Sequence, residues 1–271
     1  MQKVVIITGS SSGIGMETAL YFAKNDWMVL ATMRNPENCS AKLWGNPNIE
    51  IIPLDVTDKV SIRKAVDYAI NKFREINALI NNAGYGLIGP FESLPVKNIR
   101  MQYDTNVFGL MELTRYVLPF MRVQKDGTIV NISSIGGKMG MPLYSAYNST
   151  KWALEGYSEA LYYELIPFNI RIKIIEPGLI YTNFYKAIDM SEISDWGEYR
   201  RTLGNSASAY GSFPGSHPEV VAKTIFKAVS GRSKRLRYPV GGMAKPIMFL
   251  KRHLPENFWT WLFKNFLKLN I

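Results

Sequence analysis

Short apolar runs alternate with amphipathic stretches along the whole chain. The runs from Lys3 to Thr8, Met28 to Met33, Ile49 to Leu54, Ala78 to Ile80, Gly127 to Ile132 and Ile170 to Ile175 are almost continuously hydrophobic. That pattern predicts strands of a parallel sheet covered on both faces. Helical spacing fills the intervals, with Ala19, Leu20, Phe22 and Ala23 after the first run and Val66, Ala69, Ile70 and Phe73 after the third. Longer helices are predicted from about Pro95 to Met121 and from about Ser145 to Phe168, and Glu176-Pro177-Gly178 is expected to break the sixth strand. Regular alternation of strand and helix predicts a doubly wound α/β sheet in one Rossmann-like domain. The domain is expected to span 1–244, with 245–271 as a helical extension rather than a domain of its own.

The first run opens into Thr8-Gly9-Ser10-Ser11-Ser12-Gly13-Ile14-Gly15 and then a helix. Strand, glycine turn and helix start together suit a dinucleotide. Gly9 permits the tight turn, Gly13 lets backbone approach a pyrophosphate, and Gly15 lets the helix pack close to the strand. Free N–H groups and the helix dipole then face the phosphates. The second strand ends in Thr32-Met33-Arg34, where NAD would require a carboxylate for its ribose 2′-hydroxyl. Arg34, with Ser11, suits the 2′-phosphate of NADP instead, so NADP is preferred over NAD. Asp55-Val56 closes the third strand, where the carboxylate either meets the adenine amino group or caps the next helix. Asn81-Asn82-Ala83-Gly84 follows the fourth strand, and its small residues permit close approach of a cofactor. Asn106 interrupts an apolar helix face (Ile99, Tyr103, Val107, Leu110) and must find polar partners there.

Tyr147 and Lys151 stand four residues apart on one helix face, about 5–6 Å between Cβ atoms. A free phenol has a pKa of about 10, and a fixed ammonium beside it favours the phenolate. Such a pair exchanges protons with an alcohol or carbonyl oxygen. Ser134 lies thirteen residues before the tyrosine, with Ser133 as its rival. The spacing alone is weak, because Tyr68 and Lys72 repeat it in a polar amphipathic stretch that reads as a surface helix.

Taken in order, Thr8-Gly9 to Gly13-x-Gly15, Asp55, Asn81 to Gly84, Asn106, Ser134, Tyr147-x-x-x-Lys151 and Pro177-Gly178 resemble the short-chain dehydrogenase/reductase family over residues 3–240. The resemblance implies a seven-stranded parallel sheet and a set of roles. Tyr147 would exchange the proton, Lys151 would lower its pKa and bind the nicotinamide ribose, Ser134 would hold the substrate oxygen, and Asn106 would hold a water in a proton relay. Cofactor contacts would come from Gly9, Ser11, Ser12, Gly13, Ile14, Gly15, Arg34, Asp55, Val56, Asn82, Ala83, Gly84, Pro177, Gly178, Ile180 and Thr182, besides Tyr147 and Lys151. Arg34 and the segment Arg237 to Gly241 resemble the branch holding 17β-hydroxysteroid and retinol dehydrogenases. A homodimer through the two long helices is a further family expectation.

Composition narrows the picture. One cysteine, Cys39, excludes an intrachain disulfide and fits a reducing compartment. The first strand begins by Lys3 with no signal peptide expected before it, and no uncharged apolar run approaches membrane-spanning length. A cytoplasmic location is expected, with a candidate peripheral contact at a membrane surface. Residues 1–222 hold 21 Lys+Arg against 21 Asp+Glu, whereas residues 223–271 hold 11 against one, Glu256, so the whole +10 sits in the last segment. There Phe258, Leu262 and Phe266 form one stripe, Trp259, Phe263 and Phe266 line an adjacent face, and Lys264 and Lys268 lie opposite. That helix suits a membrane interface or packing on its own domain or a partner. No His/Cys cluster suggests a metal, and His253 reads as a surface residue.

For substrate, Met139, Met141 and Leu143, with Phe184, Tyr185 and Met190 and then Leu87, Ile88 and Phe91, suit a bulky apolar alcohol or ketone of steroid, retinoid or lipid type. The leading reading is an NADP-dependent oxidoreductase acting on that alcohol–carbonyl pair. The alternative is a cofactor-sensing binding protein whose basic tail engages a membrane or, less favoured, nucleic acid.

Overall fold

Every residue of β1 (Val4–Thr8) is buried, with Val5 and Ile7 in one apolar cluster and Val4 and Ile6 in another. A strand with four consecutive apolar residues, Val4 to Ile7, needs cover on both faces, and it has it. The computed structural model describes residues 2–182, 184, 189–190, 197–211 and 213–269. Seven parallel strands run in the order β3-β2-β1-β4-β6-β7-β9, with β2 (Met28–Met33), β3 (Ile49–Pro53), β4 (Ala78–Asn81), β6 (Gly127–Ile132), β7 (Ile170–Pro177) and β9 (Arg237–Val240). On one face lie α1 (Gly13–Lys24) and α7 (Pro218–Ser230), which pack on each other. The other face carries α2 (Lys59–Phe73), α4 (Leu110–Gln124) and α5 (Ser145–Leu165). Between β1 and β4 the strand order reverses, which opens a crevice at the carboxyl ends of the strands.

Four expectations change. The long helix from Pro95 is two helices, α3 (Val96–Tyr103) and α4, joined by a π-helical turn over Asp104–Gly109. The turn seats against the loop after β3. A Cβ at Gly109 would strike the Val56 carbonyl and lie 2.9 Å from the Asp104 carbonyl oxygen. β7 continues through Glu176 and Pro177 because β9 runs beside it, pairing Glu176 with Pro239 and Pro177 with Val240. Pro177 is tolerated because pairing with β6 ends at Ile175, so its position is an edge on that side and no ladder bond needs its missing N–H. Arg237 to Val240 is therefore the seventh strand itself. A second, two-stranded parallel sheet, β5 (Leu87–Ile88) with β8 (Asp189–Met190), was not foreseen.

The basic tail forms α8 (Ala244–His253) and α9 (Glu256–Phe266). Trp259 and Leu267 are buried against the domain, Phe266 stacks on Phe213 at 5.2 Å, and Asn205 on α6 (Gly197–Gly211) donates to the Lys268 carbonyl. Of the two faces read from the sequence, the one carrying Trp259 and Phe263 turns inward, and Phe258 stays in water. Among the described residues, no helix is long and apolar enough to cross a membrane.

Candidate active site

A cleft of about 990 Å³ lies over the carboxyl ends of the strands and joins the glycine turn to Tyr147. At its first end the turn after β1 is tied to β4. The Thr8 hydroxyl accepts from the Asn82 and Ala83 N–H groups at 3.0 Å each, while the Asn82 amide donates to the Thr8 and Gly9 carbonyls. Gly9 and Gly13 sit at φ +66° and +57°. A Cβ at Gly9 would stand 2.9 Å from Ala83 Cα, and one at Gly15 would run into the Gly9 carbonyl. Only glycine lets turn, helix and β4 loop meet this closely. Ser10 is turned inward, its hydroxyl on the Ile7 carbonyl, whereas Ser11, Ser12, Gly13 and Ile14 line the cleft. Ser12 is the N-cap of α1 and spends no side-chain bond on it. These features fit a dinucleotide: the cradle is one that side chains would fill, and helix N–H groups open into it.

Met33, Arg34, Asp55, Val56, Asn82, Ala83 and Gly84 continue the lining from the ends of β2, β3 and β4. Asp55 accepts from the Thr57 N–H and hydroxyl through Oδ1, and the cap of α2 is Asp58 instead. From β7 come Pro177, Gly178, Ile180 and Thr182. Thr182 lies beside Gly13, where a Cβ would be 3.3 Å from its side chain, and its hydroxyl accepts from the Phe184 N–H.

At the far end Tyr147, Lys151 and Ser134 come together. Lys151 is buried beneath the Tyr147 ring, 5.7 Å from its centroid, and donates to the Ile132 carbonyl at 2.8 Å. Burial pulls its ammonium down to about 8, against an upward pull from Glu155 one turn along α5. Tyr147 is also flanked edge-on by Phe184 at 5.6 Å and Tyr144 at 6.3 Å. Ser134 lines the cleft, its oxygen accepting from the Gly136 N–H at 3.0 Å. Ser133 turns its buried hydroxyl toward Gly137, where a Cβ would lie 2.6 Å from it. Asn106, on the π-helical turn, donates to the Tyr85 carbonyl and to the Thr150 hydroxyl and accepts from the Tyr85 N–H. Thr150 in turn donates to the Tyr147 carbonyl, so the amide clamps the α5 turn between the two catalytic candidates. The other Tyr–Lys pair stays on the surface, where Tyr68 and Lys72 both bond Glu50 on β3.

Behind Lys151 lies a charged cluster. Glu155 pairs with Lys138 at 3.3 Å and with Arg237 at 2.9 Å, and Arg237 reaches Glu159 at 2.7 Å. Glu176 is buried beside them and is pushed up to about 7, first by burial and then by the Glu155 charge.

The substrate end of the cleft is apolar: Met139, Met141 and Phe184 as expected, then Phe213, Met243 and Ile247. Phe263 and Phe266 of α9 close it. Leu87 packs into a small cluster with Leu94 and Ala146, Ile88 is buried, Phe91 is exposed, and Leu143 uses its carbonyl to accept from Gly89. None of these four lines the cleft. Tyr185 and the side chain of Met190 lie outside the described residues.

A profile of the short chain dehydrogenase family matches residues 3–192. The chain belongs to the short-chain dehydrogenase/reductase family. This short-chain dehydrogenase/reductase is 34% identical over 269 residues to a 3-ketodihydrosphingosine reductase of Bacteroides thetaiotaomicron, with 97% of each chain covered. A solved short-chain dehydrogenase from Streptomyces avermitilis matches with a TM-score of 0.85 and 34% identity, over 98% of this chain and 96% of that one. The structure of ElxO with NADP bound matches at 0.71 and 29%, covering 88% and 97%. Like its relatives, this short-chain dehydrogenase/reductase is an NAD(P)-dependent oxidoreductase.

Several site residues of the enzyme carried no legible signal. Tyr85 takes part through its backbone, which no side-chain pattern announces. Thr150 looked like an ordinary helix residue between Tyr147 and Lys151. Phe213, Met243 and Ile247 sit far along the chain and join the cleft only because the segment after α6 and the start of α8 return to it.

Proposed function

We propose that this enzyme is an NADP-dependent reductase that interconverts an apolar, lipid-like ketone or aldehyde with its alcohol. The observation that carries this is the placement of Tyr147. It stands where the glycine-lined half of the cleft meets the half lined by methionine and phenylalanine, with Lys151 buried beneath it. When bound, the cofactor supplies or accepts hydride at the carbinol carbon. Tyr147 then gives its phenolic proton to the substrate oxygen in reduction and takes it back in oxidation. Ser134 holds that oxygen. Lys151 favours the phenolate by its charge and serves the nicotinamide ribose. Asn106 keeps the proton relay in register by fixing the Tyr85 loop against α5.

Three observations support the finer assignments. Ser11 and Arg34 both line the nucleotide end and no carboxylate ends β2, which favours a 2′-phosphate over a free hydroxyl, as in the NADP complex of ElxO. The large apolar half of the cleft suits a lipid, in keeping with the Bacteroides relative named for a long-chain keto base. The lining of the cleft by Ile247, Phe263 and Phe266 supports reading the α8–α9 extension as part of the substrate wall rather than a separate unit.

The test is a panel of keto sphingoid bases, steroids and retinoids read by NADPH absorbance, with wild-type enzyme and Tyr147→Phe. Turnover of an apolar carbonyl by the wild type and a loss of at least about a hundredfold in the variant, with NADPH still bound, are expected. Normal turnover by Tyr147→Phe would sink the assignment of the proton carrier. Strong preference for NADH would sink the cofactor assignment.

A further inference from the structure

α8 and α9 each have two unlike faces. Inward, Ile247, Phe263 and Phe266 line the cleft, and Trp259 and Leu267 are buried. Outward, large apolar side chains remain in water: Phe249 is 62% exposed, Phe258 49%, Trp261 58% and Leu250 40%. Phe258 and Trp261 stack on each other at 5.6 Å, so the two rings form one exposed plate, and Phe249 lies over the His253 ring at 4.3 Å. Nothing in the catalytic cleft uses these residues. Single exposed apolar residues are common on any surface, but four within residues 249–261 of one helical hairpin are not scattered.

Charge decides what fits this surface. Residues 244–269 hold Lys245, Lys251, Arg252, Lys264 and Lys268 against Glu256, a balance of +4. Lys245, Arg252, Lys264 and Lys268 are exposed, while Lys251 lies over the Trp259 ring at 5.7 Å. Aromatic rings with lysine and arginine beside them are the composition of a helix that lies in the headgroup region of an anionic bilayer. A protein partner of ordinary charge would leave most of those cations without counterions.

We propose that the outward face of α8 and α9 docks this enzyme on the surface of an anionic lipid bilayer. Phe258 and Trp261 enter the headgroup–acyl boundary, and the exposed lysines and Arg252 meet lipid phosphates. Because the opposite face of the same helices walls the cleft, the docked enzyme would draw an apolar substrate from the membrane past α9. That second consequence rests on the proposed lipid-like substrate; docking itself does not.

Docking is measured without turnover, by co-sedimentation of the full chain with vesicles of phosphatidylcholine alone or mixed with phosphatidylglycerol. Binding to the anionic vesicles, weak binding to the neutral ones, and a fall with added salt are expected. Phe258→Ser combined with Trp261→Ser should lower partition by about tenfold or more, and Arg252→Glu or Lys264→Glu by at least about fivefold each. Melting temperature and turnover of a water-soluble carbonyl should be unchanged in all of them. Equal sedimentation with and without vesicles overturns the proposal, as does undiminished binding by the double aromatic variant. So does a dimer in light scattering that the double variant converts to monomer, since the face would then be a subunit contact. Retention by duplex DNA without vesicle binding overturns it as well. An enzyme inactive on every lipid yet bound to anionic vesicles would keep this proposal and remove the substrate reading alone.

Discussion

Lys151 shows how one side chain can be set by opposing fields. Burial disfavours its charge and brings it to about 8, while Glu155 pulls the other way. Below about pH 8 the group is an ammonium, able to favour the Tyr147 phenolate and to donate to a ribose. Above that pH the charge is lost. In the free enzyme, kcat/KM for the cofactor is therefore expected to fall as pH rises through about 8, in a profile of initial rates from pH 6 to 10. A flat profile across that range would show that Lys151 keeps its charge and that its environment is less dry than its burial suggests. The residue types at this site were legible because proton exchange at neutral pH has few solutions among side chains. Their company was not. The clamp by Asn106 and Thr150, and the bond from Lys151 to Ile132, depend on which polar groups the fold brings within 3.2 Å.

At the scale of elements, the π-helical turn and the β7–β9 pairing are where local patterns gave way. Asp104 to Gly109 holds weak helix formers throughout, but where the turn widens reflects a fit against Val56 and Tyr85 that no helical periodicity encodes. β9 likewise carries Glu176 into the sheet beside Glu155, where its carboxyl is pushed up to about 7 from an ordinary 4.5. Between those two values the folded chain holds a proton that the unfolded chain has released. Stability from this group is therefore lost as pH rises from about 4.5 to 7, by up to about 3 kcal/mol. Glu176→Gln is expected to match the wild type at pH 5 and to melt a few degrees higher at pH 8, read by thermal denaturation. A variant less stable at pH 8 would show that pairing with Arg237, 3.8 Å away, outweighs the cost of burying the charge.

Over the whole molecule, the polar cradle and the apolar half of the cleft are built from opposite ends of the chain. The glycine turn lies within the first 15 residues, and the apolar wall is completed by α9 near residue 266. Replacing Phe263 with Ala should raise KM for a large apolar carbonyl by roughly tenfold, about 1.4 kcal/mol, less than the about 3–5 kcal/mol of a fully buried core aromatic because Phe263 is only partly buried. Cofactor affinity, read by fluorescence titration, should not change. A matching loss of cofactor affinity would mean that α9 holds the domain together rather than shaping one pocket.

The sequence by itself determined six of the seven strands and their crossovers, because short apolar runs that alternate with helical patterns leave buried parallel strands as the solution. It also marked the candidate reacting groups and the glycine cradle, whose chemistry is local: a phenol with an ammonium one turn away, and a backbone that needs positive φ. Only the tertiary structure decided where the two neighbouring serines direct their hydroxyls, which face of α9 turns inward, and which apolar residues line the cleft. Those outcomes depend on contacts between segments far apart in the chain, where a side chain's direction is set by what the fold packs against it.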